Sequence, residues 1–573
     1  MKIPQLGNVL APRLTKNALT VLEKRYLWKD AAGRTTELPG QLFERVARAI
    51  SAAEKRDKQV WFERFYEMMA ARRFLPNTPT LMNAGKAKGQ LSACFVLPIG
   101  DSLDSIFDSL KYAAKIHQSG GGTGFSFSDL RGKGSEVKTT HGVASGPVSF
   151  IKIYDVATET VKQGGARRGA NMAILRVDHP DILEFIDSKR SKDAILNFNI
   201  SVGMTAEFME ALESGGKIWL RDPKTRKELR EISANEVFYR MTQAAWECGD
   251  PGMVFLDRIN MFNPTPMAGE IESTNPCGEQ PLLPFESCNL GSLNLGEYFS
   301  LRQIHWSLLR SDIQYAVRFL DNVIDQNQFP ISESKKITLK NRKIGLGVMG
   351  FADLLLMMGL PYDSDEARKQ GEQLMSFIDR EAKHASAELA RERGPFPNWK
   401  GSLWERLGYR PMRNATVSTV APTGTISIIA GASSGIEPLF SGVFVRNVLS
   451  GQKLIEVHPA VEKIFKDKGI KPRELNEDAI AEALGPAWSP AQRVSVEAHV
   501  KMQAAFQRHS DSAVSKTINL PESAPAKDIG RAYKLAYSLG CKGITVYRDK
   551  SRPTQVLDQV TEEDLAENLC PSC

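Results

Sequence analysis

The sequence lacks an apolar run long enough to cross a membrane, and it lacks a short apolar segment of the signal-peptide kind near its start. The longest apolar stretch, residues 344–360, is rich in glycine and carries Asp353. Residues 1–10 do not contain the hydrophobic segment that a signal peptide requires. We therefore expect neither a membrane span nor a signal peptide, and we expect a cytoplasmic protein.

Cysteine is also scarce, and basic residues are not concentrated in any one segment. Seven unevenly spaced cysteines in 573 residues are too few for a structural disulfide framework, so each cysteine requires its own explanation. Lysine and arginine exceed aspartate and glutamate by 74 − 67 = 7, but the excess is spread along the chain. A basic arm for nucleic acid is therefore not indicated, whereas small anionic substrates suit this charge.

The spacing of apolar residues divides the chain into three parts. Residues 17–56 and 61–71 carry apolar side chains at helical intervals. Further along, short β-branched or apolar segments alternate with amphipathic helices, which predicts an α/β domain with a largely parallel sheet. These segments are residues 94–99, 171–177, 197–203, 416–420 and 543–546. We predict a helical region at 1–85, an α/β domain at 86–549 and a flexible polar tail at 550–573.

The most informative segment is residues 273–280, STNPCGEQ, where a cysteine lies two residues from an amide and two from a carboxylate. Because alternate side chains of an extended loop share a face, Asn275, Cys277 and Glu279 can converge on one ligand. An isolated cysteine is more often an inert packing residue. The flanking amide and carboxylate favour chemistry here, because burying such groups without a purpose is unfavourable. Cys288 follows eleven residues after Cys277.

The Asn-Pro-Cys-Gly-Glu segment with a second cysteine eleven residues later resembles the radical-cysteine loop of ribonucleotide reductases. Further segments match this family in the same order, so the resemblance extends over nearly the whole chain. They are residues 75–80, 90–95, 100–105 and 120–124, Arg131, and residues 421–427. The resemblance implies a ten-stranded α/β barrel, from about residue 90 to residue 548, made of two antiparallel sets of five parallel strands. Cys277 would lie on a loop inside this barrel.

The resemblance also implies an activity, the radical reduction of ribonucleotides, expected as diphosphates, to 2′-deoxyribonucleotides for DNA synthesis. A sulfur radical at Cys277 would remove hydrogen from C3′ of the ribose. Glu279 would take the proton of the 3′-hydroxyl, and Asn275 would hold the ribose hydroxyls. Cys94 and Cys288 would supply two electrons as the 2′-hydroxyl leaves as water, and would end as a disulfide.

Binding roles follow from the same resemblance. The residues implied to bind the substrate are Thr78, Ser92, Ala93, Gly122, Pro422, Thr423, Gly424, Thr425 and Ile426. Residues 421–427 are also a credible anion site on physical grounds, because small residues and threonines precede an apolar helix. The residues implied to bind an effector, a deoxynucleoside triphosphate or ATP, are Asp101, Ser102 and Arg131. Gln163 and Arg167 would carry the effector's identity to the substrate base, although residues 163–169 could equally be an ordinary basic turn.

Two cysteines near the end, Cys570 and Cys573, form a Cys-x-x-Cys pair. This spacing suits thiol exchange, so we expect the pair to reduce the internal disulfide and to be reduced by thioredoxin or a similar dithiol. Half of a zinc site is less favoured, because no second Cys or His pair lies near. Cys248 and Cys541 have no such neighbours and are interpreted as packing residues.

The source of the radical is indicated by features that are missing. Family members with a separate metal subunit carry paired tyrosines near the C-terminal end, whereas residues 540–549 contain Tyr547 alone. The helical start is too short for an ATP-cone regulator, and the chain ends in Cys573 instead of a glycyl-radical signature. The sequence therefore resembles the adenosylcobalamin-dependent class, with no metal site and no radical-generating subunit expected. It has no Asp-x-His-x-x-Gly cobalamin motif, so the residues that contact this cofactor are not assigned.

Residues 345–350, GLGVMG, match the dinucleotide-binding fingerprint, with Asp363 or Asp365 as the acid that would bind the ribose. Alone, this motif would indicate an NAD-dependent dehydrogenase, but no complete βαβ unit surrounds it, and we interpret its glycines as a site of close helix packing. A non-catalytic nucleotide-binding regulator is the other alternative, and the retention of five functional cysteines argues against it. Family members that match these segments generally form homodimers with the effector site at the interface, so a homodimer is expected.

Overall fold

The computed structural model describes residues 11–87, 89–137, 142–161, 169–191, 194–448, 452–469, 477–551 and 557–559. Four residues with roles assigned from the sequence, Gln163, Arg167, Cys570 and Cys573, lie outside these ranges. None of the helices in the described ranges is both long enough and apolar enough to cross a membrane.

The elements alternate along most of the chain, as expected for an α/β protein. The strands are β1 Phe74–Pro76, β2 Cys94–Leu97, β3 Gly122–Ser126, β4 Glu136–Val137, β5 Gly142–Val143, β6 Asn171–Arg176, β7 Phe198–Met204, β8 Lys217–Arg221, β9 Glu228–Ser233, β10 Gly252–Phe255, β11 Ser273–Thr274, β12 Pro281–Leu282, β13 Ser287–Asn294, β14 Phe299–Ser300, β15 Gln303–Ile304, β16 Ile344–Met349, β17 Val443–Val448, β18 Gln452–Val457, β19 Thr517–Leu520, β20 Gly543–Arg548 and β21 Leu557–Gln559. The helices are α1 Lys16–Arg25, α2 Pro39–Ser51, α3 Lys58–Ala70, α4 Thr78–Asn83, α5 Leu103–Gln118, α6 Pro147–Thr160, α7 Ile182–Asp187, α8 Ala206–Ser214, α9 Ala234–Cys248, α10 Leu256–Met261, α11 Trp306–Gln326, α12 Ser332–Asn341, α13 Phe351–Met358, α14 Asp365–Arg393, α15 Leu403–Arg406, α16 Ile426–Ala430, α17 Pro459–Asp467, α18 Glu477–Leu484, α19 Val496–Gln507 and α20 Ala526–Ser538.

Ten segments of the chain close into a ring. In the first set, β2, β3, β6, β7 and β10 pair in parallel in that order. At the two ends of this set, β10 pairs antiparallel with β20, and β2 pairs antiparallel with β13. The second set is parallel throughout. In it, β13 pairs with β16, β16 bridges to residues 416–420, these bridge to residues 512–515 just before β19, and β19 pairs with β20. The expected barrel of two antiparallel sets of five parallel strands is confirmed.

Alternation along the strands separates the outside of the barrel from its interior. On β7, Phe198, Ile200 and Val202 belong to the apolar core beneath the helices, whereas Asn199 and Ser201 lie on the opposite face of the strand. The helices cover the barrel through two large apolar clusters, one for each half. A much smaller cluster contains Cys94 and Cys288.

Helices α1 to α4 occupy the segment whose apolar spacing is helical. Helix α2 buries Leu42, Val46 and Ile50 at intervals of four residues, which places them on one face. That helix packs against α3 and α11. The buried Glu54 accepts hydrogen bonds from Arg318 of α11 and from Arg393 of α14, so both apolar packing and ion pairs join this region to the barrel helices.

The structure differs from the sequence expectations in two places. Leu557–Gln559, within the segment expected to be a flexible tail, forms β21 and pairs with β17, and a strand of this length carries no periodicity that the sequence could reveal. The interpretation of residues 345–350 as close helix packing is wrong for the first two glycines. Gly345 and Gly347 lie inside β16, where an added Cβ would meet Thr419 at 2.8 and 2.5 Å, so they allow close contact between barrel segments.

Candidate active site

A short hairpin, the finger loop of residues 273–282, carries Cys277 within the ring of strands. Its strands β11 and β12 pair antiparallel, and the Asn275 N–H donates to the Gln280 carbonyl oxygen at 3.1 Å. The Asn275 side-chain oxygen accepts the N–H of Gln280 at 2.9 Å, which closes the turn a second time. Gly278 adopts a left-handed conformation with φ 82°, as a tight turn requires. Cys277 is exposed at the tip.

Two glycines of β3 allow the finger loop to approach the barrel wall. A Cβ on Gly124 would lie 1.7 Å from the Thr274 carbonyl oxygen, and a Cβ on Gly122 would lie 3.0 Å from Cγ of Pro276. A side chain at Gly124 would therefore displace the loop. Gly122, which the sequence assigns to the substrate site, lies directly beside the residue that precedes Cys277.

Cys94 and Cys288 lie directly opposite each other on β2 and β13, and both are buried. Opposed residues of antiparallel strands have Cα atoms about 4.5–5.5 Å apart, within the range of about 4.4–6.8 Å that a disulfide spans. The side-chain amide of Asn275 donates to Sγ of Cys94 at 3.2 Å. The fold thus brings a dithiol and the finger loop together.

Glu279 is buried next to these groups. Burial raises the pKa of its carboxyl group to about 7, while hydrogen bonds from Asn275 and from its own backbone act to lower that pKa. Its Oε2 atom has no hydrogen-bond partner among the described residues. Leaving a buried carboxylate oxygen without a partner is costly, so this atom is suited to accept a hydrogen bond, and then a proton, from a ligand. A pKa near neutrality also suits proton transfer.

A buried ion pair beside Cys288 was not found by sequence reasoning. Nζ of Lys343 lies 2.7 Å from a carboxylate oxygen of Glu286, with side chains 1% and 0% exposed, and Asn341 donates to the other carboxylate oxygen at 2.7 Å. Burial raises the pKa of the Cys288 thiol well above its usual value; the Glu286 charge raises it further, and the Lys343 charge lowers it. Cys288 is therefore a neutral thiol. The sequence showed Glu286 near Cys288, but Lys343 comes from the distant start of β16.

The loop expected to bind the substrate phosphates lies between residues 416–420 and α16. Thr423 is in the left-handed region with φ 53°, and its hydroxyl accepts the N–H of Gly435 at 2.7 Å. Gly424 is exposed, Pro422 is half-buried, and Thr425 directly precedes α16, which begins at Ile426. Ala421, the first residue of the loop, packs in the same small cluster as the two cysteines, so the loop borders the cysteine pair.

The other residues assigned to the substrate site already have partners in the protein. Ala93 packs against the cysteine cluster, and its carbonyl oxygen accepts the N–H of Gly122 at 2.9 Å. The buried Ser92 hydroxyl accepts a hydrogen bond from Asn327 at 2.9 Å. The Thr78 hydroxyl lies 2.8 Å from that of Tyr26. A ligand would share these hydroxyl groups with Asn327 and Tyr26.

The three residues assigned to the effector lie together at the start of α5. Arg131 and Asp101 form an ion pair at 2.8 Å, and the Arg131 N–H also donates to Asp101 at 3.2 Å. The Ser102 hydroxyl caps α5 by accepting the Ser105 N–H at 3.2 Å. The structure therefore places all three residues at one surface site, where the acidic Asp101 and the basic Arg131 are paired with each other.

Comparison with known protein families matches both parts of the chain. The family described as ribonucleotide reductase, barrel domain, matches residues 92–547, and the family described as ribonucleotide reductase, all-alpha domain, matches residues 12–89. The chain belongs to the ribonucleotide reductase family. The barrel match spans the ring of ten segments and the finger loop, and the all-alpha match contains α1 to α4.

Several curated ribonucleotide reductases are similar to this protein over most of the chain. A protein of Thermoplasma acidophilum, named vitamin B12-dependent ribonucleoside-diphosphate reductase, is 49% identical over 96% of this chain and 81% of its own. A Mycobacterium tuberculosis protein with the same name is 46% identical over 96% of this chain and 82% of its own. A Chlamydia pneumoniae protein named ribonucleoside-diphosphate reductase subunit alpha is 28% identical over 91% of this chain and 54% of its own. The dehydrogenase and regulator alternatives gain no support.

Glu279→Gln in this ribonucleotide reductase should lower kcat by about 10²- to 10⁴-fold, because it removes the expected general base and keeps the shape, and it should leave substrate binding intact. Because the carboxylate is the basic form and its pKa is about 7, wild-type kcat should fall with decreasing pH below about 7. The glutamine variant should lack this dependence. Steady-state kinetics between pH 5.5 and 8.5 test both points, and a variant with unimpaired kcat would remove Glu279 from the mechanism.

Thermal unfolding provides the folding control for this variant. The folded pKa of Glu279 lies above the ordinary value of 4.5, so its stability contribution is lost as the pH rises from about 4.5 to 7. At pH 8 the buried carboxylate is destabilising, and Glu279→Gln should be at least as stable as the wild type. A marked drop in Tm at pH 8 would contradict this account of the carboxylate.

Proposed function

We propose that this chain reduces ribonucleotides, with ribonucleoside diphosphates as its substrates, to 2′-deoxyribonucleotides by a radical reaction that depends on adenosylcobalamin. The observation that carries the proposal is the finger loop, which presents an exposed thiol at its tip beside a buried carboxyl group and an opposed pair of buried cysteines. The relatives named vitamin B12-dependent ribonucleoside-diphosphate reductase support the cofactor and the phosphorylation level.

Each side chain then has a defined step. Cys277, as a thiyl radical, takes the hydrogen atom from C3′, and Glu279 takes the proton of the 3′-hydroxyl while Asn275 holds the ribose hydroxyls. One thiol of the Cys94 and Cys288 pair gives a proton to the 2′-hydroxyl, which leaves as water. The pair then supplies two electrons, its second hydrogen is added to C2′, and the two sulfurs join as a disulfide. Cys277 finally returns its hydrogen atom to C3′, and Glu279 returns the proton to the 3′-oxygen. Overall, one ribonucleotide and one dithiol give one deoxynucleotide, one disulfide and one water.

The exposure pattern of the thiols fits a radical cofactor that acts on one of them. When bound, adenosylcobalamin supplies an organic radical that can remove the hydrogen atom of a thiol. Cys277 is exposed, whereas Cys94 and Cys288 are buried, so Cys277 is the thiol of this site that such a group can reach. Cys277 would thus be the residue that receives the radical, and the buried dithiol would be shielded from it.

The test of this function is product formation by the chain alone. The purified protein, a small dithiol and each ribonucleotide at both phosphorylation levels should yield deoxynucleotides when adenosylcobalamin is present and none when it is omitted, with diphosphates preferred. Equal yield without the cofactor would contradict the radical source. A preference for triphosphates would correct the substrate and leave the chemistry standing.

The substrate phosphates and ribose are assigned to the loop at the start of α16 and to the strand ends near the cysteines. The residues are Thr78, Ser92, Ala93, Gly122, Pro422, Thr423, Gly424, Thr425 and Ile426. The contact of Ala421 and Ala93 with the cysteine cluster supports this placement, because a diphosphate held there would set the ribose near Cys94 and Cys288.

Deoxynucleoside triphosphates or ATP are proposed as effectors at Asp101, Ser102 and Arg131, with Gln163 and Arg167 relaying the effector's identity to the substrate.

A homodimer is proposed through helices α5 and α6. Leu103 on α5 and Val156 on α6 are 65% and 67% exposed, and Phe107 and Ile153 are exposed as well. An apolar face of this kind on two packed helices favours association with a second copy, and it begins directly after Ser102.

Arg131→Ala should weaken effector control more than basal turnover, because the proposed partner of Arg131 is the effector. Allosteric coupling between two sites is commonly worth about 5- to 150-fold, and the variant should lose most of the change in base preference that an added deoxynucleoside triphosphate produces. The measurement is the ratio of products from mixed substrates with each effector. If the wild type shows one base preference with every effector, the assignment fails.

Thioredoxin or a similar dithiol is proposed as the reductant, acting through Cys570 and Cys573.

Three functional units follow from these assignments: the helical region at 1–85, the catalytic barrel at 86–549, and the C-terminal segment at 550–573, which contains β21.

A further inference from the structure

The tip of the finger loop is held from both halves of the barrel. The side-chain amide of Asn199, on β7, donates to the carbonyl oxygen of Pro276 at 2.8 Å. On the other side, the backbone N–H of Ala513 donates to the carbonyl oxygen of Glu279 at 2.9 Å. The hydroxyl of Thr419 lies 3.0 Å from the same oxygen and 3.1 Å from the Ala513 carbonyl oxygen, and can donate to either. These acceptors are the carbonyl one residue before Cys277 and the carbonyl two residues after it, so the bonds fix the backbone on either side of the thiol.

The finger loop needs such support because its own pairing is minimal. Strands β11 and β12 contain two residues each, and an isolated two-stranded hairpin is at best marginally stable in water. Hydrogen-atom transfer requires the reacting atoms to approach within about 3–3.5 Å, and a misplacement of about 1 Å can cost about 10²-fold in rate. The position of Cys277 therefore depends on contacts from outside the hairpin.

We propose that Asn199 is a positioning residue that holds the Cys277 thiol at the height and orientation needed for hydrogen transfer. The inference rests on the proposed function, in which Cys277 is the radical carrier. Asn199 is suited to this role because it lies on the inward face of β7. The residues before and after it, Phe198 and Ile200, are fixed in the apolar core. The anchor is therefore attached to a rigid strand. The two sides of the tip differ in the number of supporting donors. The Pro276 carbonyl oxygen has the Asn199 amide as its donor, whereas the Glu279 carbonyl oxygen has two donors within reach.

The proposal predicts unequal effects of two matched isosteric changes. Asn199→Asp keeps the shape and removes the donor to Pro276, so kcat should fall by about 10²-fold while KM for CDP stays unchanged. Thr419→Val also keeps the shape and removes one donor, but the Ala513 N–H still holds the Glu279 carbonyl, so its loss of kcat should be clearly smaller. Both variants should keep the wild-type Tm.

Hydrogen exchange of residues 277–280 in the cofactor-free protein gives a readout that does not depend on activity. These amides should exchange faster in Asn199→Asp than in the wild type, with the barrel strands unchanged. If Asn199→Asp does not fold, Asn199→Ala removes the donor without adding charge and is measured in the same way. Wild-type kcat in the variant, or reduced kcat with unchanged exchange, would overturn the proposal. An inactive wild type would overturn the proposed function instead, and the exchange measurement would still test the anchor.

Discussion

Cys277→Ser should reduce deoxynucleotide formation to background while the protein remains folded. A serine hydroxyl holds its hydrogen far more tightly than a thiol does, so it cannot serve as the carrier that takes hydrogen from C3′ and later returns it. Cys277 is exposed at the tip of the finger loop, and exchanging sulfur for oxygen there is a nearly isosteric change. The measurement is chromatographic detection of dCDP formed from CDP with adenosylcobalamin, alongside the Tm of each protein.

Cys248→Ser is the matched control for this experiment. The Cys248 thiol lies 3.3 and 3.4 Å from the carbonyl oxygens of Ala244 and Asp250 and can donate to either, as a serine hydroxyl also can. This variant should retain wild-type turnover. Substantial dCDP formation by folded Cys277→Ser would eliminate the radical assignment.

The double change Cys570→Ser with Cys573→Ser should stop multiple turnover with thioredoxin and preserve a single turnover. The internal dithiol, Cys94 and Cys288, is buried, so a large protein reductant cannot reach it directly and needs a relay. A small dithiol that diffuses into the barrel should restore steady turnover in the double variant. The measurement compares product per chain with thioredoxin and with dithiothreitol. Normal turnover with thioredoxin would show that these two cysteines are not the relay and would favour the zinc alternative.

The reach of this relay is shorter than the sequence suggests. Counted from Lys550, 570 − 550 = 20 residues would average about 25 Å as a flexible chain and extend to roughly 65 Å. Because Leu557–Gln559 is paired with β17, the count from Gln559 is 570 − 559 = 11 residues, about 18 Å on average and about 37 Å at full extension. If β21 remains paired during turnover, Cys570 can act only within this distance of Gln559.

The parts of the site that could be predicted from sequence are those within one short segment. Asn275, Cys277 and Glu279 share the finger loop, and their spacing indicated that they could act on one ligand. The pairing of Cys94 with Cys288 was implied by the family resemblance, and the register of β2 and β13 places them opposite each other. Spacing along the chain could not show this, because the two residues are brought together by the closure of the barrel.

The supporting residues could not be predicted for the same physical reason. Asn199, Thr419 and Lys343 reach the site from β7, from residues 416–420 and from the start of β16, and no local pattern links these segments to the finger loop. The interpretation of Gly345 and Gly347 as helix-packing residues is wrong because a fingerprint motif shows which residues are small but not which residues they contact. The neighbour that they share is Thr419, which reaches them only when the ring closes.

The most direct test of the central claim is the thiol state of the site after one turnover. The Cys570→Ser, Cys573→Ser variant is fully reduced, freed of reductant, and given CDP with adenosylcobalamin, and peptide mass mapping then locates any disulfide. The account predicts one dCDP per active site, together with a new disulfide between Cys94 and Cys288 and an unmodified Cys277. Formation of dCDP with Cys94 and Cys288 still reduced, or a disulfide between other cysteines, would contradict it.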